Sequence, residues 1–314
     1  INNKILYSSS IPYTFTVKSA LGSYLFDQTG KKYIDFTSGW NVSNLGWNRE
    51  DIRDFIIEGL KINNDQYVPI WCDNDIQIKY AKKLVETLPD SMDCVVKTTG
   101  GTEANEAAIK IARARTGRKN ILSFFESYHG NSIGMMALGH GYTIPELYTD
   151  ICGFEKINFP DAAENISDNK IILERFEHEL DSRLKRENVA GMFVEAGIIT
   201  GFGSTRRAPH GLMKIIRKLT KKYGTLMILD EVGTGFSRCG KLYGMEIENI
   251  IPDIVTFAKA MSNGSAAIGA LVTSKSIGEN IFSKTGLSVE QLTELSSAIQ
   301  SKIPLKRFGQ PSDI

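Results

Sequence analysis

Apolar residues recur along this chain in two rhythms. Ile52, Phe55, Ile56 and Leu60 fall at helical spacing across residues 49–63, and similar spacing predicts helices over about 76–88, 103–116 and 210–223. Between these stand short, nearly all-apolar runs: Cys94-Val-Val96, Ile121-Leu-Ser-Phe124, Ala190-Gly-Met-Phe-Val194, Leu226-Met-Ile-Leu229 and Ile254-Val-Thr-Phe257. Such runs separated by amphipathic helices predict an α/β fold, with a mainly parallel sheet covered on both faces. Ahead of them, Tyr13-Thr-Phe-Thr-Val17 and Ser23-Tyr-Leu-Phe26, joined by turns such as Asp27-Gln-Thr-Gly30, predict a small antiparallel entry. Ligands of open α/β sheets bind at the carboxyl ends of the strands, so the residues after each run are the ones to read for chemistry.

Composition narrows the class without naming an activity. The chain has 314 residues, 42% apolar and 23% charged, with a net charge of +1, an ordinary globular balance of more than one domain that offers nucleic acid no basic surface. No apolar stretch is long enough to span a bilayer and the first residues lack a secretory pattern, so a cytoplasmic location is expected. Cys72, Cys94, Cys152 and Cys239 are scattered, without zinc-site spacing or a disulfide framework, and read as reduced thiols. A start without methionine and a stop at Pro-Ser-Asp-Ile314 fit a fragment.

Four strand ends carry candidate chemistry, each with a plain structural alternative. After Cys94-Val-Val96 comes Lys97-Thr-Thr-Gly-Gly-Thr-Glu-Ala-Asn-Glu106, where Gly100, Gly101 and Thr102 open a helix whose unpaired amides could hold a phosphate; the alternative is an ordinary helix capped by Thr102. After Ile121-Leu-Ser-Phe124 come Tyr128 and His129, an aromatic ring and an imidazole beside Gly130, or simply loop residues. Leu226-Met-Ile-Leu229 runs into Asp230, a desolvated carboxylate that needs a cation such as a protonated heterocyclic nitrogen, or else acts as a helix cap or ion pair. The next strand ends in Lys259, either a strand-exit lysine or an amine activated by desolvation. A phosphate turn, an aromatic plate, a carboxylate and a lysine are together what pyridoxal 5'-phosphate requires.

The segment Ile228-Leu-Asp-Glu-Val-Gly-Thr-Gly-Phe-Ser-Arg-Cys-Gly-Lys241, followed by Pro252-Asp-Ile-Val-Thr-Phe-Ala-Lys-Ala260, is similar to the long signature of the class III aminotransferases of pyridoxal-phosphate fold type I. Phe36-Thr-Ser-Gly-Trp-Asn-Val-Ser-Asn-Leu-Gly46, Gly101-Thr-Glu-Ala-Asn-Glu-Ala-Ala108 and Tyr128-His-Gly130 add matches in the right order, and the resemblance covers roughly residues 5–280. It implies a mostly parallel seven-stranded sheet with helices on both faces. It also implies that Lys259 forms the Schiff base and Asp230 pairs with the pyridine nitrogen. Gly101 and Thr102 would hold the phosphate, Tyr128 would stack on the ring with His129 beside it, and Val232 would pack on the opposite face. Glu195 would lie near the cofactor, and Trp40 at the substrate entrance. The implied reaction is transamination of an amino acid, ω-amino acid or amine with a 2-keto acid, 2-oxoglutarate or pyruvate, by a homodimer.

Departures from the family pattern carry expectations of their own. Val194-Glu-Ala-Gly-Ile-Ile-Thr200 places Thr200 where ornithine-type enzymes have a glutamate, which argues against an ornithine or acetylornithine preference. Gly233 stands where the family has glutamine, losing an amide near the cofactor. Past the lysine, the family's small C-terminal domain reads as missing or replaced. Residues 282–314 instead resemble the C-terminal region of short-chain dehydrogenases, or else form a plain helix over 289–302. The expected organisation is an N-terminal segment with a small meander over 1–48, a cofactor-binding large domain over 49–281 and this atypical tail. A working aminotransferase, a truncated or chimeric cofactor-binding protein, and an aminomutase or decarboxylase on the same scaffold all stay open.

Overall fold

Runs of Ile, Leu, Val, Met and Phe become buried strands because only a two-faced sheet can cover side chains pointing both ways. In the computed structural model, which describes residues 16–62, 74–139, 151–163, 169–200 and 205–282, a three-stranded antiparallel meander comes first. Its strands are β1 (Val17–Leu21), β2 (Tyr24–Asp27) and β3 (Lys32–Ile34). Asp27 shapes the second turn: its Oδ1 accepts from Thr29 N at 2.8 Å and Lys31 N at 3.0 Å, while Tyr33 Oη donates to Oδ2 at 3.0 Å. The expected strand over 13–17 begins outside the described residues, and the observed strand runs on to Leu21 instead.

The main sheet contains β4 (Cys94–Thr98), β5 (Asn120–Phe124), β6 (Phe154–Ile157) and β7 (Val189–Glu195). A two-stranded ribbon of β8 (Ile198–Ile199) and β9 (Arg206–Arg207) interrupts the series before β10 (Leu226–Asp230), β11 (Ile254–Phe257) and β12 (Gly269–Thr273). The order across the seven strands is β4-β12-β11-β10-β7-β5-β6. All run parallel except β12, which is antiparallel to both neighbours. Two strands escape the pattern reading. β6, Phe-Glu-Lys-Ile, alternates charge with apolar residues at the sheet edge, and β12 opens on glycine and alanine, which carry little β preference.

Alternation divides the core in two. Leu122, Met192, Val194, Met227 and Leu229 pack into one cluster, whereas Ile121, Ala190, Phe193, Ile228 and Leu271 pack into another. Adjacent residues of one strand therefore serve opposite faces. The first cluster is covered by the helices Asn169–Leu184 and Leu212–Tyr223, the second by Gly101–Thr116. Gly191 permits the last of these to approach, since a Cβ there would sit 2.7 Å from Ile228 Cδ1 and 3.2 Å from Ala112 Cβ. The helices expected over 49–63, 76–88 and 210–223 form as Glu50–Ile62, Asp75–Val85 and Leu212–Tyr223. The helix Asn169–Leu184 was not expected. The tail over 283–314, with its proposed helix, lies outside the described residues.

Candidate active site

Because β4, β5, β7, β10 and β11 run parallel, the residues after them collect along one edge of the sheet. There they line a cavity of about 320 Å³, at the small end of the range for ligand pockets. Gly101, Thr102, Tyr128, His129, Glu195, Asp230, Val232 and Lys259 all border it. Trp40 does not; it is half exposed on the turn Ser38–Asn41, whose Val42 reaches the cavity.

The helix Gly101–Thr116 begins differently from the capped alternative. Its N-cap is Gly100 rather than Thr102, and no side chain caps it. Its first-turn amides are thus left for a ligand at the cavity wall. Gly130, at φ +138°, presses against Thr102: a Cβ there would sit 2.5 Å from Thr102 Oγ1. Glycine is what allows the Tyr128-His-Gly130 loop to close over this turn.

Asp230, only 4% exposed, is held by three donors. Asn105 Nδ2 donates to Oδ2 at 2.8 Å, His129 Nδ1 bonds the same oxygen at 2.7 Å, and Val232 N donates to Oδ1 at 2.9 Å. Asn105 is itself fixed, donating to the His129 carbonyl at 2.8 Å and accepting from Thr256 Oγ1 at 2.7 Å. A carboxylate so bound keeps its orientation toward the cavity. Sequence reasoning missed Asn105, although its place one turn into the glycine-led helix, on the buried side, was the available signal.

Lys259 follows β11 with φ +47°, a left-handed conformation rare for a side chain of this size. Burial lowers its basicity, against the opposing pull of Asp230 and Glu195. The amine is therefore more readily neutral, and so more nucleophilic, than a surface lysine.

Glu195 ends β7 directly opposite Asp230 of β10. It accepts from Thr200 N at 3.0 Å and from Thr200 Oγ1 at 2.6 Å. Burial pushes it from 4.5 to about 7, and the neighbouring Asp230 charge adds to the rise. The folded protein thus keeps this proton up to about 7 while the unfolded chain loses it near 4.5, so stability falls as pH rises through that window. The expected loss is on the order of 3 kcal/mol. Glu195→Gln should flatten the pH dependence of the unfolding free energy between those values by that amount, leaving the share due to Glu231, which burial also pushes up. An unchanged slope in the variant contradicts this assignment.

These residues fit pyridoxal 5'-phosphate: an uncapped, glycine-lined helix start for a phosphate, a donor-braced buried carboxylate for a protonated ring nitrogen, and an amine of lowered basicity for an aldehyde. Comparison with known proteins agrees. The family model described as aminotransferase class-III matches residues 7–287. Acetylornithine aminotransferase of Listeria innocua is 34% identical over 261 residues, covering 80% of this chain and 59% of that protein. The [LysW]-aminoadipate semialdehyde/glutamate semialdehyde transaminase of Sulfurisphaera tokodaii is 31% identical over 252 residues, covering 79% of this chain and 59% of that one. Among solved structures, taurine:2-oxoglutarate aminotransferase from Bifidobacterium kashiwanohense, in complex with PLP and glutamate, superposes with a TM-score of 0.79 at 31% identity. It covers 89% of this chain and 64% of that one. The chain spans about three fifths of the length of the curated relatives it matches.

Proposed function

The chain belongs to the class-III aminotransferases, a family with the pyridoxal-phosphate fold type I, and from that premise we propose that it transfers an amino group from an amino acid, ω-amino acid or amine to a 2-keto acid. The observation that carries the reading is the convergence of Lys259, Asp230 and the uncapped helix start on one cavity. Pyridoxal phosphate, when bound, supplies an aldehyde that condenses with amines and a ring that takes up electrons. Gly101 and Thr102 would hold its phosphate with first-turn amides and a hydroxyl, and Tyr128 and Val232, which line the same cavity, would pack against the ring. Asp230, kept in place by Asn105, His129 and Val232 N, would pair with the protonated ring nitrogen. Lys259 Nζ, partly withdrawn from water and lowered in basicity, accepts the donor's α-proton and returns it on the way to product.

The relatives' acetylornithine activity is not carried over to the donor site. Thr200, where the family pattern has glutamate, is bonded through both its amide and its hydroxyl to Glu195 and presents no carboxylate to a basic substrate. Trp40 borders the route by which substrate enters. A homodimer is supported by the apolar face left uncovered on Glu50–Ile62, where Phe55 is 79% and Leu60 59% exposed, and by Phe36 at 89%. The cytoplasm, where thiols stay reduced, suits the thiols of Cys152 and Cys239.

The test is a half-reaction. The full chain, loaded with pyridoxal phosphate and sized by sedimentation, is mixed with a panel of amino acids, ω-amino acids and amines. Stoichiometric pyridoxamine phosphate, reconverted by 2-oxoglutarate or pyruvate, is the expected result. Cofactor binding without any pyridoxamine phosphate points to an impaired chain. Carbon dioxide release or an isomerised amine in its place identifies a decarboxylase or aminomutase.

A further inference from the structure

Ser38, Gly39, Trp40 and Asn41 have φ values from 50° to 67°, so the turn closed by Val42 N on Ser38 O at 2.9 Å winds left-handed. Each residue with a Cβ costs about 1–2 kcal/mol in that conformation, and the surroundings hold it there. Asp35 Oδ2 accepts from Gly39 N and from Trp47 Nε1, both at 2.8 Å. Asn44 Nδ2 donates to Phe236 O at 2.7 Å, and Leu45 N to Asn263 Oδ1 at 3.0 Å, tying the segment to the loops that follow Asp230 and Lys259.

What this strained turn delivers to the site is Asn41. A Cβ placed on Gly233 would lie 3.9 Å from Asn41 Nδ2 and 4.0 Å from Lys259 Nζ, with nothing nearer. Gly233 is not in the left-handed region and a side chain there would make ordinary contacts, so neither backbone nor packing calls for glycine. Glycine leaves a notch beside the reactive amine, open to the cavity that Gly233 lines, with an amide on its far side. A half-buried notch between an amide donor and an amine suits an oxygen acceptor.

We propose that Asn41 and Gly233 form a subsite for an oxygen acceptor next to Lys259, Gly233 providing the space and Asn41 Nδ2 the hydrogen bond. The subsite rests on the aminotransferase reading above. Its occupant is either the ring oxygen of the cofactor or the carboxylate of an amino-acid donor, and the experiment separates the two. Asn41→Gly and Asn41→Asp both tolerate the left-handed turn, so they change the donor and keep the backbone; Gly233→Ala narrows the notch. For each, the visible absorbance of the chain loaded with pyridoxal phosphate is titrated with pH without substrate. The KM of an α-amino acid is then compared with that of the matching amine lacking the carboxylate.

If the ring oxygen is held, Asn41→Gly shifts the absorbance midpoint by about one pH unit, Asn41→Asp shifts it further, and the KM ratio stays put. If the substrate carboxylate is held, the midpoint is unmoved and the amino-acid KM rises about tenfold while the amine KM does not. Wild-type midpoints and KM ratios in all three variants overturn the subsite. A wild-type chain that develops no visible band removes both the aminotransferase reading and the subsite, and does so before any substitution is made.

Discussion

Lys259→Ala is expected to lower the rate of the amine half-reaction by about 10⁴-fold or more and to erase the visible band that pyridoxal phosphate gives with the wild-type chain. Both losses have one cause. Lys259 is the only amine lining the cavity among the described residues, so no other amine there can take over its part, and burial already lowers its basicity. The fold should survive. Alanine at φ +47° carries the same left-handed strain as lysine, and removing a desolvated amine relieves a cost rather than adding one. Single-turnover kinetics with pyridoxamine phosphate detection, beside a thermal melt of the same sample, measures both. A variant within tenfold of wild type in the half-reaction would remove Lys259 from the chemistry.

Asp230 tests whether the carboxylate serves the fold, the reaction or both. Asp230→Ala strips the acceptor from Asn105 Nδ2, His129 Nδ1 and Val232 N at a position only 4% exposed. Leaving those donors unmatched should cost about 3–5 kcal/mol of stability, or roughly 6–20 °C in melting temperature. Asp230→Asn keeps one oxygen for these donors and removes the charge. It should retain most of the stability while losing about 10²–10³-fold in the half-reaction, because a neutral amide cannot hold a ring nitrogen protonated. The contrast between the two substitutions is the measurement. Equal melting temperatures for Asp230→Ala and wild type would show that the three hydrogen bonds contribute nothing to the fold. Full activity in Asp230→Asn would show that the charge contributes nothing to the reaction.

Much of this site was legible because polar residues interrupt apolar runs where burial makes them expensive. Leu226-Met-Ile-Leu229 announces a buried strand, so Asp230 at its end demands a partner. Ile254-Val-Thr-Phe257 does the same for Lys259. The partners themselves were less legible. Asn105 and Asp230 lie 125 positions apart, and no local pattern relates an asparagine inside a helix to a strand end so distant. Thr200 read as the loss of a family glutamate; its bond to Glu195 forms across the turn at Gly197, whose φ is 72°. The family resemblance pointed to Trp40 at the substrate entrance, whereas its neighbour Asn41, small and polar, is the residue whose amide faces the notch at Gly233.

The sequence by itself determined five of the seven segments that enter the sheet, that helices cover both faces, and that an amine, a carboxylate and a glycine turn stand at strand ends. These follow from side-chain periodicity and from the cost of burying charge, both local properties. Only the tertiary structure decided the strand order β4-β12-β11-β10-β7-β5-β6, the reversed direction of β12, and hence which strand ends face one another. Pairing between distant strands is chosen by the packing of the whole core, which no window of the chain contains. The same packing places Glu195 beside Asp230 and raises its affinity for a proton, because the protonation of a buried acid depends on what surrounds it rather than on its neighbours in sequence.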